Sequence, residues 1–523
     1  FTRTGGTASI FGVADLASGT WTPAGTWTLA AGGTVQNGTV NLSSGTLAFP
    51  ARCSLGRLSN VTLNGDIPSF AGGVRWNNVT LTGTITATGA GISEIVFEGS
   101  QTITGTIAAN TTSSLILSSN ANGTLTIAPG AKIQGGAIEF YRSSPCLDGG
   151  GTYEVVNNGT IDANIAGRPI DFNTSSATPL TNNGTINVNG GTLELSAFVG
   201  NTGALNLNSG ILYVNGALNA LGTFARSGGT GGTAYAYGTN DLGDGTWTPL
   251  GVWNVFPGAT IQSGTINLSS GTLAFPARCS VGRLSDVTIN GNLPSFAGGM
   301  RWNNVTLNGT LTCIGSGEIV FEGSQTITGT IAANTTASLI LSSNANGTLT
   351  IAPGAKIQGG AIEFYRSSPC LGGGGTYDVV NNGTIDANIA GRFIDFNTSS
   401  AVPITNNGTL AAGPGTVELF GLTNNGTAKA RAGAVIVLGN AAHTLTSAGT
   451  FEVELKGPPP STANFGRITL SNNAASTVAL GGTLKIRNVA AYTPTCGLQW
   501  NIVTSALIAA GTPITGTFSA FDF

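Results

Sequence analysis

Charge is what this chain has least of. Of its 523 residues, 20 are Lys or Arg and 23 are Asp or Glu, 8% in all, where a soluble protein usually carries about a quarter. It has five Lys, one Met and one His. With a net charge of −3 and scattered Arg there is no basic stripe to follow a phosphate backbone, so nucleic acid is not an expected partner. A lone His, His443, cannot complete a His-based metal site, and the sequence has neither paired-Asp motifs nor the Gly-Gly-x-Gly-x-Asp calcium repeat. No metal and no cofactor is therefore expected. Few Met and Lys leave little from which to build helices. No apolar run reaches the roughly eighteen residues that a membrane-spanning helix requires, so no membrane insertion is expected. No signal peptide is visible, since Phe1 opens directly into repeat sequence, and the chain reads as mature or as a fragment whose targeting segment has been removed.

What fills the chain is Gly (80 residues) together with Thr, Val, Ile, Leu and Asn. The length would ordinarily mean roughly three or four globular domains, but the apolar residues fall in short alternating runs, and β-branched residues favour strands. Disorder requires low hydrophobicity and high net charge. Here 41% of residues are hydrophobic and the net charge is near zero, so the chain is expected to be ordered and all-β.

Repeats occur at two scales. Ser-Ser-Gly-Thr-Leu-Ala-Phe-Pro-Ala-Arg-Cys-Ser ending at Ser54 returns ending at Ser280, and Gly-Gly-Ala-Ile-Glu-Phe-Tyr-Arg-Ser-Ser-Pro-Cys-Leu ending at Leu147 returns ending at Leu371. The segment opening at Phe1 returns at Phe224. These offsets divide the chain into residues 1–223, their duplicate 224–448, and an end segment 449–523. Within each copy a shorter unit recurs: strand-like pentapeptides open at Gly184, Gly191, Gly203, Gly210 and Gly222, which gives a coil of nineteen residues. Elsewhere the coil stretches, with Asn-Asn-Gly-Thr recurring from Asn157 to Asn182.

Coils of about 18–25 residues holding two or three short strands predict a right-handed parallel β-helix, a β-solenoid. One coil cannot bury its apolar row, but stacked coils share a continuous core. Gly at each strand opening points to a corner that a Cβ would obstruct, and stacked Asn side chains are placed to hydrogen-bond along the axis. At ~4.8 Å per coil such a chain makes a rod roughly 125 Å long. The Gly457-Pro-Pro-Pro interruption and the irregular sequence after it are expected to form a distinct C-terminal cap.

The units Phe-x-Arg-Thr-Gly-Gly-Thr, Gly-Thr-Trp-Thr-x-x-Gly-x-Trp-x-Leu-x-x-Gly-Gly-Thr-Val-Gln-Asn-Gly-Thr-Val and the long trains of Gly-Thr-Leu and Gly-Thr-Ile resemble the passenger regions of filamentous-haemagglutinin-like and autotransporter-like bacterial adhesins. The resemblance covers nearly the whole chain. It implies a parallel β-helix exported to the cell surface for adhesion or surface structure, and it transfers no catalytic or binding residue. The chain departs from the autotransporter pattern in showing no membrane barrel, so a released or assembled subunit fits better.

The candidate chemistry is sparse. His443 reads as solvent-facing or incidental. Carboxylates are the better candidates, since glycoside hydrolysis needs two of them about 5–10 Å apart. Glu94, Glu98, Glu139, Asp162 and Asp171 have counterparts at Glu318, Glu322, Glu363, Asp386 and Asp395. Glu94 and Glu98 would share one strand face, with Arg142 and Arg168 near enough to meet an acidic sugar. The competing reading is of solvated charges or ion pairs between coils, and no catalytic residue is assigned.

Cys53 and Cys146, recurring as Cys279 and Cys370, are 93 residues apart in the first copy. That is four to five coils, roughly 20 Å along the axis, and they are expected not to pair, since a disulfide needs Cα atoms within about 7 Å. Cys279 with Cys313 is the least implausible pair, and buried apolar Cys is the default. A cross-link between subunits is the alternative, and Cys496 stands apart from these. Trp21, Trp27, Trp76, Trp247, Trp253 and Trp302 are read as filling wide coils, or else as sugar-stacking platforms. Asn-x-Ser/Thr sequons such as those at Asn78, Asn110, Asn122 and Asn158 read as turn chemistry.

Three functions from different classes fit. The preferred one is a secreted, extracellular structural or adhesive rod that is not an enzyme and self-associates head to tail into a filament or surface layer. The alternative is a glycan-binding or polysaccharide-cleaving β-helix, with surface glycans as partners. Ice binding ranks last, because regular Thr-x-Thr columns are not evident.

Overall fold

A computed structural model describes residues 8–147, 150–172, 177–227, 231–398, 401–446, 448–471, 476–505 and 514–523. The repeat opener at 1–7, part of its copy at 228–230, and 472–475 and 506–513 of the end segment lie outside them. The chain is an all-β parallel solenoid of about 20 coils, 59% strand and 1% helix. It divides into two compact units, one of residues 1–243 with 250–254 and the other of 244–249 with 255–523.

In each unit every strand pairs in parallel with the equivalent strand one coil away, about 22 residues on. Gly56–Asn64 lies on Gly73–Leu81, with Val61 against Val79 and Leu63 against Leu81. The period is eighteen there (79 − 61) and nineteen where Thr185 faces Ala204 (204 − 185). It widens where a loop is inserted: Glu139 faces Asp171, thirty-two positions on (171 − 139).

Alternation along each strand decides what enters the core. In Thr185–Asn201, Ile186, Val188, Leu193 and Leu195 are buried, while Thr185 and Asn187 face outward. Aromatic side chains pack along the interior: Trp76 meets Phe97 edge to face at 6.0 Å, while Phe97 stacks on Tyr153 at 6.3 Å and Phe140 on Phe172 at 4.1 Å. Unit 2 repeats the column with Trp302, Phe321 and Tyr377.

The Asn ladders form as the stacked Asn-Asn-Gly-Thr motifs predict. Asn157 Nδ2 donates to Asn182 Oδ1 at 2.6 Å, and Asn182 Nδ2 to Asn201 Oδ1 at 2.6 Å. Asn381, Asn406 and Asn424 repeat this in unit 2. Asn157, Asn182, Asn381, Asn406 and Asn424 are buried, and Asn201 is partly exposed. The second Asn of each motif builds a parallel ladder outside, Asn183 donating to Asn158 and Asn425 to Asn407.

The end segment joins the stack. Thr450–Leu455 pairs in parallel with the coil before it and with Thr483–Asn488 after it, which in turn carries Ala520–Asp522. The Pro-rich interruption is an excursion from one coil: it leaves after Leu455 and returns at Arg467–Leu470, which pairs with Val435–Leu438.

Candidate functional site

The cysteines overturn one expectation. Cys53 and Cys146 form a disulfide with Cα atoms 5.0 Å apart, and so do Cys279 and Cys370. Cys313 is the buried free thiol and Cys496 an exposed one. The strands beside Cys53 and Cys146 are indeed four coils apart, the ladder running Gly56–Asn64, Gly73–Leu81, Ile92–Phe97, Ser114–Ser119, Ile138–Tyr141. Counting coils fails because neither cysteine sits in a strand. Each lies on a loop that runs along the axis, and the two loops travel toward each other.

Glu94 marks where they meet. Its side chain faces outward from Ile92–Phe97 but is fully buried, as is its neighbour Val96. Arg52, beside Cys53, donates from Nε to Glu94 Oε2 at 3.1 Å. Ser144, beside Cys146, donates to Glu94 Oε1 at 2.7 Å, and Ser118 of the adjacent coil donates to the same oxygen at 2.7 Å. In unit 2, Glu318 accepts from Ser342 at 2.8 Å and Ser368 at 2.7 Å, with Arg278 Nε 3.7 Å away. A buried carboxylate is stable only when its charge and lone pairs are matched, and around Glu94 both loops supply the matching groups.

The other expected acids are spread over more than one strand ladder. Glu98 is paired with Arg57 at 2.7 Å and with Arg75; Glu322 is paired with Arg283 at 2.6 Å and with Arg301. Glu94 and Glu98 thus share a face as predicted, each held by its own arginines. Asp162 pairs with Lys132 at 3.0 Å and Asp386 with Arg431 at 3.1 Å. Arg168 donates to the Ser113 carbonyl, and Arg142 lines a separate cleft with Thr124, Tyr153 and Glu154.

Register brings Glu139, Asp171 and Glu194 into one column on three successive coils. Glu363, Asp395 and Glu418 form the same column in unit 2. Tyr141 donates its phenol to Glu139 at 2.8 Å; burial first, then this carboxylate, pushes the Tyr141 pKa up to about 12. Tyr365 beside Glu363 is likewise pushed to about 12. Burial raises Asp395 to about 6, with Glu418 and Glu363 adding to the rise and the Asn397 backbone N–H opposing it. Sequence reasoning missed Glu194, Glu418, Ser118, Ser144 and both tyrosines. The signal available was register: the Glu of Gly-Thr-Leu-Glu-Leu stands one coil beyond Asp171.

His443 is a second correction. It is buried, not solvent-facing: Nδ1 accepts the Leu422 backbone N–H at 3.1 Å and Nε2 lies 3.2 Å from the Gly439 carbonyl. It ties down the irregular turn at Gly421, where φ is +64°, and burial pulls its pKa below 6.5. Trp76, Trp247, Trp253 and Trp302 are buried, as the coil-filling reading has it, whereas Trp21 and Trp27 remain partly exposed and pack edge to face at 5.2 Å.

A further outward column is made of threonine. Thr20, Thr39, Thr62 and Thr80 stand in register on four coils, and Thr102 with Thr126 on two more. Thr246, Thr265, Thr288 and Thr306 repeat the first four in unit 2. Single Thr columns therefore exist that the sequence spacing concealed. The position two residues on, however, is Asn at Asn41, Asn64, Asn267, Asn290 and Asn308, so the flat Thr-x-Thr array is interrupted.

No protein-family model matches the chain, and no curated protein matches its sequence.

Proposed function

We propose that the chain is a secreted structural or adhesive surface protein whose solenoid associates with further copies end to end, as the resemblance to adhesin passenger regions implies. The observation that carries this reading is the direction of its polar chemistry. Asn ladders and the Lys429–Glu452–Lys485 series join one coil to the next, and the Arg57–Glu98 pair reaches two coils on. Groups aimed along the axis hold a scaffold together. Two intrachain disulfides favour an oxidising exterior. A heterologous contact between copies that does not close yields a fibre. Electron microscopy of the purified chain under non-reducing conditions tests the proposal: filaments with a regular axial repeat are expected, and isolated particles at high concentration overturn it.

A glycan-binding face is the second reading, favoured by the Thr column. Among the described residues the hydroxyls of Thr39, Thr62, Thr80, Thr102 and Thr126 make no side-chain hydrogen bond, and the shallow concavities beside them are lined by Ser, Asn, Gln and Thr, with Ala17, Gly38, Val79 and one acid, Asp15. A neutral polysaccharide laid along the axis matches this chemistry. A glycan array probed with the chain and with Thr62→Val should then show a loss of binding to neutral glycans.

A further inference from the structure

We propose that each unit carries a clamp that takes tension along the solenoid axis, built from the disulfide-joined loops and the buried carboxylate beneath them. The inference deepens the structural reading and rests on it. In a stack of parallel strands the ladder hydrogen bonds point along the axis, so axial tension parts the stack coil from coil. Between neighbouring coils the only covalent link is the winding chain itself, about 22 residues of slack. The Cys53–Cys146 bond changes this for one stretch. It joins the loop preceding Gly56–Asn64 to the loop following Ile138–Tyr141, four coils apart. Tension entering at one loop leaves at the other through the sulfur–sulfur bond. The coils of Gly73–Leu81, Ile92–Phe97 and Ser114–Ser119 lie between and are bypassed.

Glu94 stands on the middle of those three coils and is bonded to both loops, through Arg52 and Ser144, and to the next coil through Ser118. It holds the bridge flat against the strands that the bridge protects. A loop staple serving only as a cover could close within a single coil. This one crosses four, and the second unit repeats it with Cys279, Cys370, Glu318, Ser342 and Ser368 in the same roles. Under load the bypassed coils remain folded and act as the template on which the peeled coils rewind.

The test is stretching of the single full-length chain by its two ends in an optical trap, through repeated stretch and relaxation, before and after adding dithiothreitol. Before reduction, 93 residues in unit 1 and 91 in unit 2 stay hidden, withholding roughly 300 Å of extension in each at about 3.4 Å per residue. The first trace is expected to recur after every relaxation. After reduction the hidden length appears and recovery slows at least tenfold. The same loss is expected of a Cys53→Ser/Cys146→Ser/Cys279→Ser/Cys370→Ser chain; should that variant not fold, reduction of the folded chain under load gives the same readout. Glu94→Gln with Glu318→Gln keeps the length hidden but slows recovery. Equal recovery in oxidised and reduced chains overturns the clamp, whatever microscopy finds about filaments; failure to form filaments with recovery intact overturns only the end-to-end reading.

Discussion

Gly159, Gly184 and Gly203 follow one another on three coils, and none has a positive φ. Their demand is steric. A Cβ on Gly184 would stand 2.2 Å from the Gly159 carbonyl oxygen, and one on Gly203 would stand 2.0 Å from that of Gly184. Gly184→Ala should therefore cost about 1–3 kcal/mol. Gly91→Ala, where a Cβ meets nothing within 4 Å, should stay within about 0.5 kcal/mol. Equal urea midpoints for the two variants would refute the close-approach argument. Protonation has its own residue-scale signature. His443 is held neutral in the fold, so the unfolded chain binds the extra proton below pH 6.5, and stability should fall as pH drops through that value. Asp395 works the other way: its folded pKa of about 6 lies above the ordinary 3.8. The folded chain binds the extra proton, and stability gains as pH falls from about 6 toward 3.8. With a single His in the chain, its imidazole NMR signal reads the first effect directly. Asp395→Asn should abolish the second in melts taken across the same range, and an unchanged profile would show Asp395 to be in ordinary solvent.

Among the elements, the pair of loops over Glu94 concentrates the most energy on one side chain. Glu94→Gln leaves the Arg52 charge unmatched beside a fully buried site, so a loss of about 3 kcal/mol is expected. Glu98→Gln, whose partners Arg57 and Arg75 are about one-third exposed, should cost under about 1 kcal/mol. Amide hydrogen exchange localises the effect: Glu94→Gln should speed exchange in Ile92–Phe97 and Ser114–Ser119, and uniform protection there would remove the carboxylate from its central role. Strands elsewhere in the coil, such as Gly123–Ile127 and Thr185–Asn201, were legible from their alternation and Gly-Thr openings, whereas Gly73–Leu81, Ile92–Phe97 and Ser114–Ser119 under these loops carry no Gly-Thr. The staple was not legible. Sequence distance converts to axial distance only for residues that stay in the coil, and Cys53 and Cys146 leave it in opposite directions. The acid column was half legible: Glu139 and Asp171 were singled out, but a coil of thirty-two positions (171 − 139) breaks the period needed to align them. His443 misled because charge alone says nothing about an irregular turn that needs a buried acceptor.

At the scale of the whole molecule, the period of about 22 residues was the most legible property, because it repeats wherever loops do not interrupt it. It also dictates how the chain should melt. Each coil touches its two neighbours, so stability is a sum of coil terms and nearest-neighbour terms. Among the described residues the disulfides are the covalent ties between distant coils, one in each unit and each bridging strands four coils apart. Coils outside the staples, such as those of Asn182 to Asn201 and Asn406 to Asn424, have ladders but no covalent tie. Calorimetry should therefore record more than one transition, with a calorimetric enthalpy larger than the van't Hoff value. Reduction should lower the later transition and leave the earlier one in place, because the stapled coils are the ones that lose their constraint on the unfolded state. A single transition with equal enthalpies, unmoved by reductant, would mean that the coils are coupled far beyond their neighbours and that the staples add nothing to that coupling.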